Sequence, residues 1–169
     1  MNATLATWNA ADEATALNAM IACCGSRRWA GTMVVLRPFE SVEKLSLTAD
    51  EVWNSMEEPD WMEAFACHPR IGERKAAHAV AKSASWSAQE QSSTERAAAQ
   101  VLAELAAGNV LYEERYGFTY IVCATGKSAE QMLAILNRRL ASDRETELRE
   151  AAEQQRQITQ IRLGKWLAE

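Results

Sequence analysis

At 169 residues, 48% of them hydrophobic, the chain is long enough to bury a core without disulfide staples. Three prolines and seven glycines, against abundant alanine, leucine, glutamate and glutamine, favour helix over a turn-rich β fold. A formal net charge of −5 argues against nucleic acid, which draws on a concentrated basic face, and no apolar run approaches the ~20 residues that cross a bilayer.

No internal repeat, low-complexity tract or linker divides the sequence, so a single domain over residues 1–169 is expected. The N-terminus lacks a basic region followed by an apolar core, so no secretory leader is read. A first helix is predicted from about residue 9 to residue 24. Asn9 is its cap, Asp12 and Glu13 suit the positive end of its dipole, and Gly25 stops it. The four cysteines, Cys23, Cys24, Cys67 and Cys123, contain no C-x-x-C spacing. They read as buried thiols of a protein in a reducing cytoplasm, with no metal site.

Trp29 and the apolar run 33–36 fit a buried strand or a short buried helix equally, and Pro38 then interrupts the chain. A second helix carries Val42, Leu45, Val52, Trp53 and Met56, with Thr48 as its expected cap. "EPDWMEAFACH" reads as a short helix opening at Pro59 and Asp60 and ending before Pro69. A third long helix is expected to start at Ser87, with Glu90 completing an S-x-x-E capping box, and to close at Gly108 and Asn109. "RYGFTYIVCATG" has strand propensity, but no partner strand is visible, so residues 117–125 are expected to form an extended, largely buried segment. "SAEQMLAILNRRLA" is a further helix. The last is expected to start at Ser142, with Glu145 completing its box, and to run to about Trp166 on an apolar stripe of Leu148, Ala151, Ala152, Ile158, Ile161 and Trp166. The class is all-α, a multi-helix bundle.

Few residues in this frame can carry chemistry. His68 follows a helix end and precedes Pro69, which fixes φ and pushes its neighbour out of helical geometry. A histidine on such a corner suits a positioned acid or base, and also suits a purely structural place at the negative end of the helix dipole. His78 lies in an alanine-rich polar stretch and reads as solvent-exposed or structural. Ser87 and Glu90 read first as a cap; a helix start also receives polar ligands, and Gln91 beside them offers a donor and an acceptor. Arg162 borders the apolar stripe of the last helix, so its charge needs an anionic partner, from the protein or from a ligand. Arg149 and Arg156 read as solvated, as does the "GERK" turn after Ile71.

Four motifs stand in order: "HPRIG" at 68–72, "SxxEQ" at 87–91, "YGFTYIVCATG" at 116–126 and "ITQIRL" at 158–163, with "SRRWA" and "RPF" upstream. Together they resemble the 2-oxo-4-hydroxy-4-carboxy-5-ureidoimidazoline (OHCU) decarboxylases of purine breakdown, over nearly the whole chain. The resemblance implies an all-helical enzyme without cofactor, usually a homodimer, that releases CO2 to give (S)-allantoin. It implies His68 as the catalytic histidine and Glu90 as its carboxylate companion. It implies Ser87, Gln91 and Arg162 as substrate-binding residues, Pro69 as part of the wall, and Ile121, Val122 and Cys123 as the stretch whose backbone holds the heterocycle. Peroxisomal members can end in a Ser-Lys-Leu-type signal, whereas this sequence ends "WLAE", so a bacterial cytoplasm is expected. A hydrolase of cyclic ureides using His68 and Glu90, and a non-catalytic helical module, are the alternatives.

Overall fold

The computed structural model of the chain describes residues 2–71 and 99–169. Among the described residues there are eight α-helices and no strand, which bears out the all-α expectation. They group into two compact units, Met1–Ala64 with Arg156–Glu169, and Phe65–Gln155.

The first unit opens with α1 (Ala3–Ala10) and α2 (Glu13–Cys24), where a single helix from residue 9 was expected. The break falls at Asp12, whose carboxylate accepts the Thr15 amide at 2.9 Å and the Thr15 hydroxyl at 2.6 Å. Asp12 is therefore the cap that Asn9 was expected to be. Asn9 instead lies inside α1 and exchanges two hydrogen bonds with the Phe39 backbone, at 2.8 and 3.0 Å. Arg37 closes the end of α1 by donating to the carbonyls of Trp8 and Ala11, with its guanidinium over the Trp8 ring. Gly25 ends α2 at φ 91°, a left-handed conformation that glycine adopts without strain.

The ambiguous run after Gly25 is helical: α3 (Arg27–Val35) is capped by Ser26 and leaves Val35 82% exposed. The Trp29 indole donates to the Ala49 carbonyl at 3.0 Å, tying α3 to α4 (Val42–Asn54). Ser41 caps α4, and Thr48 lies buried in its middle. Both are good capping residues; the apolar spacing of Val42 and Leu45, which continues into Val52, decides for the earlier one. α5 (Glu58–Ala66) opens beside Pro59 as expected.

In the second unit α6 (Ala99–Tyr116) runs straight through Gly108 and Asn109, where a stop was expected. Gly108 is there for space: a Cβ at that position would lie 2.5 Å from Leu136 Cδ2 on α7 (Ala129–Arg139). The helix ends instead at Gly117, at φ 82°, whose amide closes on the Glu113 carbonyl. α8 (Arg144–Leu167) is shared by the two units. Its start is capped by Asp143, which accepts the Thr146 amide and hydroxyl, one residue after the Ser142 expected to do so.

The segment 118–124 between α6 and α7 is neither helix nor strand and is almost wholly buried, as the sequence suggested. Arg139, 3% exposed, supplies the missing ladder partner by donating to the Ile121 carbonyl at 2.6 Å. The same guanidinium pairs with Glu147, 1% exposed, through Nε at 2.5 Å, and reaches the Tyr112 hydroxyl. Burial opposes the charge of Arg139, but Glu147 and the flanking tyrosines outweigh it and raise its pKa. Burial also pushes the Tyr112 hydroxyl well above its usual range, so it stays protonated and donates to Glu147 at 2.5 Å.

Arg139→Met strands the Glu147 carboxylate in the core and is expected to cost about 3–5 kcal/mol, read by urea unfolding. Arg139→Met with Glu147→Leu is expected to recover most of that loss, because the buried charge leaves with its partner. A single variant as stable as the parent would remove the pair from the account of this segment.

Candidate active site

α5 ends at Ala66, and the His68 amide closes on the Phe65 carbonyl at 3.1 Å, one residue before Pro69 stops any continuation. The chain therefore turns at His68, whose ring is half-buried. Three contacts hold this corner. His68 Nε2 lies 2.6 Å from Oε1 of Gln155 on α8. Arg70 grips Glu113 on α6 with two nitrogens, at 2.7 and 2.5 Å, the two-pronged geometry that suits a guanidinium. Asn109, also on α6, donates to the Ile71 carbonyl at 3.2 Å. The corner is thus fastened to two helices within its own unit.

The segment 118–124 is fastened to α8 and to α7. The Cys123 amide donates to Gln154 Oε1 at 2.9 Å, its carbonyl accepts Lys127 Nζ at 2.8 Å, and the Tyr120 hydroxyl reaches the Met132 carbonyl at 3.1 Å. Phe65 and Phe118 bring the two segments into ring contact at 5.4 Å. Consecutive glutamines of α8 thus hold the His68 ring and the Cys123 backbone, so the two stretches singled out in the sequence come together.

Of the expected site residues, His68, Pro69, Ile121, Val122 and Cys123 belong to the Phe65–Gln155 unit and Arg162 to the other. Arg162 is 1% exposed, in keeping with an inward place beside the apolar stripe. Ser87, Glu90 and Gln91 lie outside the described residues, as do His78 and the "GERK" turn. Arg149 is exposed and pairs with Glu145, but Arg156 is not simply solvated: it is half-buried and donates to Asp50 at 2.8 Å. Cys23, Cys24 and Cys123 are buried as expected; Cys67, beside His68, is only partly so. Among the described residues no group of three or more His, Cys, Asp or Glu is placed to hold a metal ion.

Gln154, Gln155 and Arg139 were not among the expected site residues. Two of them carried a signal: Gln155 falls three residues before Ile158 and four after Ala151, and Arg139 three after Leu136, each a polar group at an apolar-stripe position.

The Arg70 hydrogen bonds, partly opposed by burial, hold the Glu113 carboxyl below its usual 4.5. A depressed folded-state pKa stabilises above the unfolded value and loses that contribution as pH falls through the folded one. Because Arg70 is 42% exposed at its side chain, solvent screens the pair and the effect is about 1 kcal/mol or less. The stability gap between wild type and Arg70→Gln should therefore be present at neutral pH and close below pH 4.5; a gap that persists in acid would mean packing, not charge, holds the corner.

Residues 9–164 match the family model "OHCU decarboxylase". The uric acid degradation bifunctional protein TTL of Arabidopsis thaliana is 38% identical over 85% of this chain, which spans 44% of that longer protein. The 2-oxo-4-hydroxy-4-carboxy-5-ureidoimidazoline decarboxylase of Amia calva is 27% identical over 80% of this chain and 74% of its own length. A crystal structure of OHCU decarboxylase in the presence of (S)-allantoin superposes with a TM-score of 0.76 at 34% identity, covering 88% of this chain and 96% of that one. A crystal structure of (S)-allantoin synthase shares the fold, with a TM-score of 0.71 at 17% identity over 96% of this chain and 53% of that one. The family match over 9–164 takes in both the His68 corner and the buried segment held beside it: the chain belongs to the OHCU decarboxylase family.

Proposed function

We propose that this chain converts OHCU to (S)-allantoin and CO2 in urate degradation, without a cofactor, and that His68 is its acid/base. The observation that carries the reading is an imidazole on a corner fastened to two helices, within a chain that matches the decarboxylase family from residue 9 to residue 164. OHCU carries a carboxylate and a hydroxyl on one carbon of a conjugated ring. When the bond to CO2 breaks, its electron pair can spread into that ring, so the protein has only to orient the carboxylate, offset developing charge and deliver a proton to one face. A half-buried histidine is reachable by substrate, and imidazole is the side chain whose ordinary pKa lies nearest neutrality, which suits that proton transfer, a step that contributes about 10²–10⁴-fold.

The other roles belong to the same proposal. Glu90 hydrogen-bonds ureido or ring N–H groups and helps set the state of His68, Ser87 and Gln91 bind substrate, and Pro69 shapes the wall. Backbone groups of Ile121, Val122 and Cys123 meet the heterocycle; the Arg139 and Gln154 contacts support this by fixing the segment in place. Arg162 holds an anionic oxygen, for which its planar fork is better shaped than lysine. The enzyme works as a homodimer, in a reducing cytoplasm that suits its thiols.

Freshly generated OHCU, followed by CO2 release and circular dichroism of the allantoin formed, tests the reaction. Uncatalysed decay gives racemate, so dextro- and laevo-forms in equal amounts with enzyme present would sink the proposal, and ring hydrolysis without CO2 would point to a cyclic-ureide hydrolase. His68→Asn is expected to fold and to lose stereoselective turnover by about 10²-fold or more. For Arg162→Lys the expected change is a rise in KM of about tenfold, since the charge stays and the fork goes; unaltered kinetics would make this arginine structural.

A further inference from the structure

Gln155 is wholly buried, on the part of α8 that belongs to the same unit as His68, and its side-chain oxygen lies 2.6 Å from His68 Nε2. An amide oxygen has two lone pairs and no proton, so the ring nitrogen facing it must carry the hydrogen. We propose that Gln155 is the positioning residue of His68: it holds the proton on Nε2, so that in the neutral ring the lone pair lies on Nδ1. This rests on the reading of His68 as the acid/base, and goes beyond it by assigning the tautomer of the neutral ring and the residue that sets it.

Three features favour this role over simple packing. A buried amide at an apolar-stripe position is costly unless bonded, and an alanine or leucine would fill a helix face more cheaply. The neighbouring Gln154 is bonded to the Cys123 backbone, which restrains this turn of α8 against the buried segment and limits how far Gln155 can stray. The contact also reaches across 87 residues of sequence to a ring whose own corner is fixed separately by Arg70 and Asn109. Imidazole and amide are thus each held from behind, as a fixed tautomer requires. A neutral acceptor sets the tautomer without placing a negative charge of its own beside the ring.

The test begins with long-range 1H–15N spectra of the full chain in which His78, the only other histidine, is replaced by glutamine. The neutral ring of His68 is expected to show a protonated-type shift at Nε2 and an unprotonated-type shift at Nδ1. The reverse pattern, or an even average of both, would overturn the proposal whatever the reaction proves to be. Gln155→Met keeps the length and removes the acceptor; it should scramble the tautomers and lower kcat about 10²-fold, with KM changed less than about threefold. Gln155→Glu keeps an acceptor and should retain the Nε2–H form and recover more of kcat than the methionine variant. Should methionine unfold the protein, the parent spectrum and the glutamate variant still decide the matter. If the parent lacks decarboxylase activity while the spectrum is as expected, the reading of the reaction fails and the tautomer assignment stands. An unchanged spectrum and kcat in Gln155→Met would make the contact incidental.

Discussion

The pairing of Arg139 with Glu147 inside the second unit is the interaction on which the most distinctive part of this structure depends. A helical protein that routes an extended segment through its core has to satisfy backbone groups that no neighbouring strand can meet. Arg139 meets the Ile121 carbonyl and, because it is buried, must itself be neutralised. Glu147 does that from the first turns of α8, and the Tyr112 hydroxyl from α6 completes its hydrogen bonding. One ion pair therefore joins α6, α7, α8 and the segment they enclose. Apolar residues of equal volume would pack as well, but they would leave the Ile121 carbonyl unmet.

The same device recurs around the histidine at lower charge. Arg70 with Glu113, Asn109 with the Ile71 carbonyl, Gln154 with the Cys123 amide and Gln155 with the imidazole are all side chains answering groups that lie outside regular helix. Each is fixed on a helix whose own backbone bonds are complete, so each can hold a loop without being loose itself. The charged pair and Gln154 sit where solvent still reaches, and Asn109 and Gln155 sit where it does not.

Much of this was legible in the residues because helix periodicity and strong breakers act locally. Pro69 announced the His68 corner, Gly25 the end of α2, and the lack of a partner strand the extended character of 118–124. The misplaced caps have one physical cause, competition between residues equally fit for a local task. Asn9 and Asp12, Thr48 and Ser41, and Ser142 and Asp143 are all competent caps, and the choice fell to where packing began. Gly108 misled for a different reason: glycine marks helix ends and also marks places where another helix comes close, and only the partner Leu136 distinguishes the two. Arg156 looked solvated because its partner, Asp50, lies 106 residues away. The His68 corner and the inward place of Arg162 could be read, while the residues that hold the histidine could not, since glutamine is an ordinary helix-surface residue until its neighbours in space are known.

A polar residue inside an apolar stripe is the one sequence signal that would have narrowed this gap. On α8 the stripe of Leu148, Ala151, Ala152 and Ile158 is interrupted at Gln155, Thr159 and Arg162, all buried, in steps of four and three residues. Helix stability argues against each of them, since an apolar residue at any of these positions would bury more area with no hydrogen bond to satisfy. Arg139 breaks the stripe of α7 in the same manner and proves to hold the backbone of the buried segment. Gln155 proves to hold the imidazole. These two interruptions thus answer to loops and not to helices, and what does not belong in the stripe of a helix marks what lies outside it. The apolar members say only that the helix packs; the polar members say what it is packed to hold.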